Sequence, residues 1–215
     1  MSIIIRNLSD QLVELVRDRI LTGAVHPDLP IRQDALAAEL GVSKIPLREA
    51  LARLEQEGLI RSQANRGYFV RALSTEEAEE VFALRLKLEP EAIACAAAVA
   101  DYDHRRLAME TLAKLDQATS QHGEGVGAFN RAFHLALIRP GQRLITLNIL
   151  ERLHVLSERY VRKHLEPLGR DQRANEEHHE MLDSWMERDV ERVAQLTRAH
   201  IEQTLEDLRR QLVSE

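Results

Sequence analysis

The chain of 215 residues carries 29 basic and 35 acidic side chains, a formal net charge of −6, and 44% hydrophobic residues. That length and apolar content suffice for a buried core in one large or two small domains and set aside a low-complexity or disordered chain. No apolar run approaches the ~20 residues of a membrane span, the start "MSIIIRNLSD" has no signal-peptide pattern, and the single Cys95 has no internal disulfide partner, so a soluble protein of the cytoplasm is expected.

In chain order, Leu8, Leu12, Leu15, Val16, Ile20 and Leu21 recur at three- and four-residue spacing, which predicts a helix from Asn7 to Leu21 that stops at Gly23. "AVHPDLP" has turn composition. Leu36, Ala37 and Leu40 predict a short helix ended by Gly41, and Ser43 is placed to cap a third that buries Leu47, Ala50, Leu51 and Leu54. After Gly58, "LIRSQ" and "GYFVR" read as two strands joined by a tight turn at Ala64, Asn65 and Arg66.

From the capping box Ser74-x-x-Glu77 onward the pattern is almost continuously helical, so the domain boundary is expected at residues 72–74. The predicted helices are 75–99 with a kink or break at Pro90, 103–121, 125–138, 142–165, 172–187 and 190–213, separated by "QHGEG", "RPG", "EPLGRD" and "RD". Six helices with short connections favour an antiparallel bundle. The fold expected is therefore mostly α: an amino-terminal winged helix-turn-helix over 1–73 and an all-α bundle over 74–215. Cys95, in the small-residue run "AIACAAAVA", reads as a buried packing position.

Charge separates the same two segments. Residues 1–72 hold 10 Lys and Arg against 9 Asp and Glu, residues 73–215 hold 19 against 26, and within 42–72 six basic side chains face three acidic ones. A small basic module joined to a larger acidic one points to polyanion binding coupled to a partner or sensor domain. If 43–57 is a helix with its leucines inward, Lys44, Arg48 and Ala52 lie on the exposed side, small and basic as a major groove requires. Arg48 is the candidate base reader because its fork matches guanine O6 and N7. Ser43 and Lys44 suit phosphates, Asn65, Arg66 and Gly67 would place a wing on the flanking groove, and Arg32 and Arg53 complete the candidate DNA-contacting set.

In the second segment "FNRAFH" places Asn130 and His134 one helical turn apart, and Asp189 lies eleven residues after His178 and eleven before His200. A chain reversal near Asp189 would set His178 and His200 level on neighbouring antiparallel helices, with His134 approaching from a third. Three imidazoles and one oxygen suit Zn²⁺, Ni²⁺ or Mn²⁺. His26, His104, His122, His154 and His164 read as surface or satisfied core residues, and His179, turned about 100° from His178, is not expected to be a ligand.

The run "LAAELGVSKIPLREALARLEQEGLI", followed by "NRGYFV", resembles the winged helix-turn-helix of GntR-family bacterial transcription regulators, with Leu36, Ala37, Leu40, Gly41, Val42, Ser43, Pro46, Arg48, Glu49, Ala50, Leu51, Leu54, Gly58 and Leu59 in register and Lys44 where Arg is commoner. "LRLKLEPEAIACAA", with Arg85 and Glu89, "FNRAFHLAL" and "EHHEMLDSWMERDVERVAQLTRAHI" are similar to the FCD effector domain of the FadR subfamily, in its six-helix VanR-type version. The resemblance implies a ligand-responsive DNA-binding transcriptional regulator, a homodimer on a pseudo-palindromic operator, whose bundle binds a small carboxylate effector. It also implies metal ligands at His134, His178 and His200, with Asn130 where the family usually has Asp. A neutral amide there removes one negative charge from the site. Arg85 is a candidate carboxylate clamp, or a partner in a helix-surface salt bridge. A metal-free organic-anion pocket is the alternative to the metal site. Two rival functions also stand: a three-histidine hydrolase with Glu177 or Glu180 as base, and a purely architectural DNA-binding protein with a fully packed bundle.

Overall fold

Leu12, Val16 and Ile20 on one side of α1 (Leu8–Leu21) meet Leu47, Ala50, Leu51 and Leu54 of α3 (Lys44–Gln56), and this apolar seam is the core of the first of two compact units, Met1–Leu73 and Ser74–Glu215. The structure, a computed structural model, describes residues 8–25, 29–120, 125–162 and 170–212. The expectations for Asn7, His26, His122, His164, residues 163–165 and residue 213 lie outside these.

In the first unit the α1/α3 seam is tied at its edges. The buried Arg17 guanidinium donates to both oxygens of Glu57 (Nη2–Oε1 2.6 Å, Nε–Oε2 3.1 Å), and Ser9 Oγ donates to Glu49 Oε2 at 2.6 Å. The short α2 (Gln33–Glu39) inserts Leu36 and Ala37, and positive φ at Gly41 turns the chain into α3. Ser43 occupies the position before α3 without a capping hydrogen bond from its side chain, a correction to the expected cap. Strands β1 (Ile60–Gln63) and β2 (Gly67–Val70) pair antiparallel, Ile60 opposite Val70 and Gln63 opposite Gly67; left-handed Asn65 (φ 61) and Gly67 (φ 88) make the turn.

The second unit is a helical bundle: α4 (Thr75–Val99), α5 (Tyr102–Ser120), α6 (Val126–Ile138), a 3₁₀ turn at Arg139–Gly141, α7 (Leu144–Tyr160), α8 (Asp171–Met186) and α9 (Val190–Leu212). Ser74 Oγ accepts the Glu77 N–H at 3.2 Å and starts α4. Pro90 does not break that helix: the burial of Ala92, Ile93, Ala96 and Ala97 beyond it, each methylene worth about 0.8 kcal/mol, offsets a proline penalty of about 3 kcal/mol. Cys95 is exposed, not packed inside, because the buried side of α4 passes through Ala92 and Ala96 and leaves Cys95 beside Arg143 Nη1 at 3.9 Å. Fully buried Phe82, Phe133, Leu150 and Trp185 fill the interior, where Trp185 Nε1–H donates to the Leu137 carbonyl at 3.1 Å. Helix α4 packs against α9 and α7, α5 against α6 and α8, and α8 against α9. Asp189 makes the α8/α9 reversal, accepting the Arg192 N–H at 2.9 Å after Arg188 adopts φ 62.

Candidate functional site

The reversal at Asp189 brings His178 on α8 and His200 on α9 to a ring separation of 4.8 Å, and His134 of α6 lies 5.1 Å from the first and 5.3 Å from the second. One ring nitrogen from each lies within 4.8 Å of the others, and all three residues are buried. Among the described residues neither nitrogen of His178 has a hydrogen-bond partner. Buried polar atoms are almost always paired, and an unpaired imidazole at the meeting point of three helices has the donor chemistry that fits a metal ion. Burial lowers the His134 pKa to about 3 and holds His178 well below its usual value, so both are the neutral imidazoles that a metal requires.

A second layer orients this cluster. His200 Nδ1 sits 2.6 Å from Glu177 Oε2, and burial, which would raise the Glu177 carboxyl, is outweighed by that hydrogen bond and the His200 and arginine charges. The ionised carboxylate accepts a hydrogen bond from His200 Nδ1–H, the arrangement that leaves the lone pair of Nε2 facing away from Glu177. Behind His134 the carboxylate of Glu89 is completely buried, its Oε1 3.1 Å from His134 Nδ1 and 3.2 Å from His154 Nε2. Burial would raise Glu89, but Arg85 and the two imidazoles hold it well below the usual carboxylate range. Glu89, His134 and His154 thus form a second triangle of donor atoms. It is poorly suited to a cation, because the Arg85 guanidinium already covers Glu89 through Nε–Oε2 at 2.8 Å and Nη2–Oε1 at 3.3 Å.

That pairing changes the reading of Arg85. Its remaining nitrogen, Nη1, donates to Ser157 Oγ at 3.1 Å, so the guanidinium forms a buried i,i+4 ion pair, inside the bundle and not on a helix surface, and contributes its charge to the wall of a cavity. Asn130, Arg131, Ser157, Glu158, Arg170, His178 and His200 line the same cavity. Asn130 therefore faces the space in front of the imidazoles from one turn before His134. Arg131 pairs with Glu158, and Arg170 Nε lies 2.7 Å from Asp207 Oδ2. Glu158 lies close over Gly127: a Cβ there would meet its Oε1 at 2.4 Å, so a side chain at 127 would make the carboxylate shift. His179 points away and pairs with Asp116 at 3.2 Å. Glu89, His154 and the orienting role of Glu177 were missed by spacing arguments; only the four-residue step from Arg85 to Glu89 hinted at a buried pair.

In the first unit Arg48 is exposed on α3, with no ion-pair partner shown among the described residues. Lys44, also exposed, pairs with Asp34 of α2, and Arg53 ties α3 to Asp10 of α1, so those two charges are shared with carboxylates. Arg32 and Ser43 are exposed. At the hairpin, the guanidinium groups of Arg61 and Arg66 each lie 5.4 Å from the centre of the Phe69 ring.

Residues 8–70 match the bacterial regulatory proteins of the gntR family, and residues 80–203 match the FCD domain. The chain belongs to the GntR family of transcriptional regulators and carries an FCD domain. Over 95% of its length this regulator is 30% identical to an uncharacterized HTH-type transcriptional regulator, BphR of Paraburkholderia xenovorans, covering 86% of that protein. It is 26% identical to the HTH-type transcriptional repressor GlaR of Escherichia coli, over 86% of this chain and 89% of that one. Its fold matches the solved structure of E. coli McbR/YncC with a TM-score of 0.81 at 24% identity, over 95% of this chain and 98% of that one. As a GntR regulator it is a DNA-binding protein and not an enzyme, so the hydrolase reading is set aside. No helix among the described residues is long and apolar enough to cross a membrane.

Proposed function

We propose that this regulator senses a small carboxylate-bearing metabolite at a divalent metal held by His134, His178 and His200, and that binding releases a homodimer from a pseudo-palindromic operator in the cytoplasm. The observation that carries the reading is the buried, unpaired imidazole of His178 between two further imidazoles. A metal in that position supplies a Lewis-acidic site for a carboxylate oxygen. The chain's own residues do the rest. Glu177 sets the tautomer of His200, Asn130 offers a neutral amide oxygen from the cavity wall, and the paired guanidinium of Arg85 adds positive potential. Three imidazoles favour Zn²⁺ or Ni²⁺ over Mn²⁺, whose preference is for oxygen. On the DNA, Arg48 is the base reader and Lys44 a phosphate contact, with Asn65, Arg66 and Gly67 at the wing.

The cavity itself argues against a purely architectural role, which needs no space in the bundle. A metal-free anion pocket is the second reading, favoured by the three arginines, Arg85, Arg131 and Arg170, that line the cavity. Elemental analysis of untagged protein decides between them: the metal reading expects about one Zn or Ni per chain, and its rival expects none together with stabilisation by carboxylates in the presence of a chelator.

A further inference from the structure

We infer that the hydroxyl of Tyr160 is the latch through which occupancy of the cavity reaches the DNA-binding unit; the inference rests on the ligand-sensing reading above and names its transmission element. Tyr160 ends α7 and is fully buried. Its hydroxyl donates to Glu77 Oε2 at 2.8 Å and accepts the Ser74 N–H at 3.2 Å. Ser74 is the first residue of the second unit, bonded to Leu73, the last residue of the first, and its own Oγ caps α4. The phenol therefore holds the turn into which the chain from the DNA-binding unit runs.

The same stretch of α7 is the cavity wall. Ser157, Glu158 and Val161 line it on either side of Tyr160. A displacement of Ser157 or Glu158 by a ligand must be carried into Tyr160, because these residues share a helical turn whose backbone moves as a unit. A second grip converges on the same end of α4: Arg209 of α9 holds both oxygens of Glu79 at 2.5 and 2.6 Å, and α9 also carries His200 and Thr204 into the cavity. Two of the helices that wall the ligand site, α7 and α9, thus both reach the opening turns of α4. Latch made and latch broken are the two arrangements whose balance a ligand can bias.

The test uses full-length protein with Zn²⁺ alone as probe, comparing wild type with Tyr160→Phe, which keeps the ring and removes the oxygen. Zn²⁺ binding is followed by calorimetry, and amide exchange is read at residues 74–78 and across α8 and α9. In the wild type, Zn²⁺ is expected to change exchange at 74–78 by at least about fivefold, the lower end of ordinary coupling between sites. In Tyr160→Phe the Zn²⁺ affinity and the protection of α8 and α9 stay within about twofold of wild type, which also shows that the variant is folded, while the response at 74–78 disappears. Zn²⁺ uptake with no response at 74–78 in the wild type, or with an undiminished response in Tyr160→Phe, overturns the latch alone. No uptake by either protein overturns the metal reading and the latch with it.

Discussion

Replacing His178 with Leu should make the metal-free protein more stable while destroying its response to metal. His178 is buried, neutral at pH 7.5, and has two ring nitrogens without hydrogen-bond partners among the described residues. Each buried, unpaired polar atom costs about 1–3 kcal/mol. Leu has a similar volume and a better helical propensity, and it forfeits the edge contacts with Phe133 at 5.2 Å and His134 at 5.1 Å, worth about 0.5–1.5 kcal/mol each. Two such atoms, central cost about 4 kcal/mol, less about 2 kcal/mol for the two ring contacts, leave a gain of about 2 kcal/mol, or about 4–8 °C in melting temperature for a protein of this size. Wild type in Zn²⁺ at a thousand times its Kd gains about 4 kcal/mol, and His178→Leu gains nothing. Thermal unfolding of untagged protein in chelator and in Zn²⁺ gives all four values. A chelated variant that melts below the chelated wild type, or a variant still stabilised by Zn²⁺, refutes the argument that His178 is kept for a metal at a cost in stability.

Asn130→Asp adds a charged oxygen to the wall facing the imidazoles and should tighten Zn²⁺ binding by about tenfold or more, read by calorimetric titration; unchanged affinity would remove residue 130 from the site. In operator binding, Arg48→Ala should cost about 1–3 kcal/mol on the operator and much less on a scrambled duplex, whereas Lys44→Ala should weaken both alike; equal losses for Arg48→Ala would end its base-reading role. Acid should destabilise the metal-free protein from about pH 6.5 downward. His134 keeps a pKa of about 3 when folded against 6.5 when unfolded, so the unfolded chain binds more protons in that window and stability falls by up to about 1.4 kcal/mol per pH unit for each such imidazole. Urea unfolding at pH 7.5 and 5.5 in chelator checks this, and equal stabilities at the two values would contradict neutral burial of the histidines.

The helices were legible because each buries one side: Leu12, Val16 and Ile20, or Leu47, Leu51 and Leu54, announce their period without reference to any partner. The approach of His178 to His200 was legible for a related reason. Eleven residues is close to three helical turns, so two elevens about a reversal put the rings level. The inner layer was not legible. Whether Cys95 points out and Glu89 in depends on where α7 and the 3₁₀ turn pack against α4, which local periodicity does not contain. The same holds for Arg85, whose role is decided by a carboxylate four residues on and a serine 72 residues on. Ser43 shows the converse: a residue type suited to capping, at the right position, whose side chain makes no cap.

The central claim joins metal, effector site and DNA, and operator affinity of the untagged full-length protein in chelator and in saturating Zn²⁺ tests it most directly. With a metal centre that governs the DNA-binding unit, the two dissociation constants should differ by about five- to 150-fold, the usual range for coupled sites, and the difference should vanish in His178→Leu. Identical operator affinities with and without Zn²⁺, in a protein shown by calorimetry to bind it, would contradict the account.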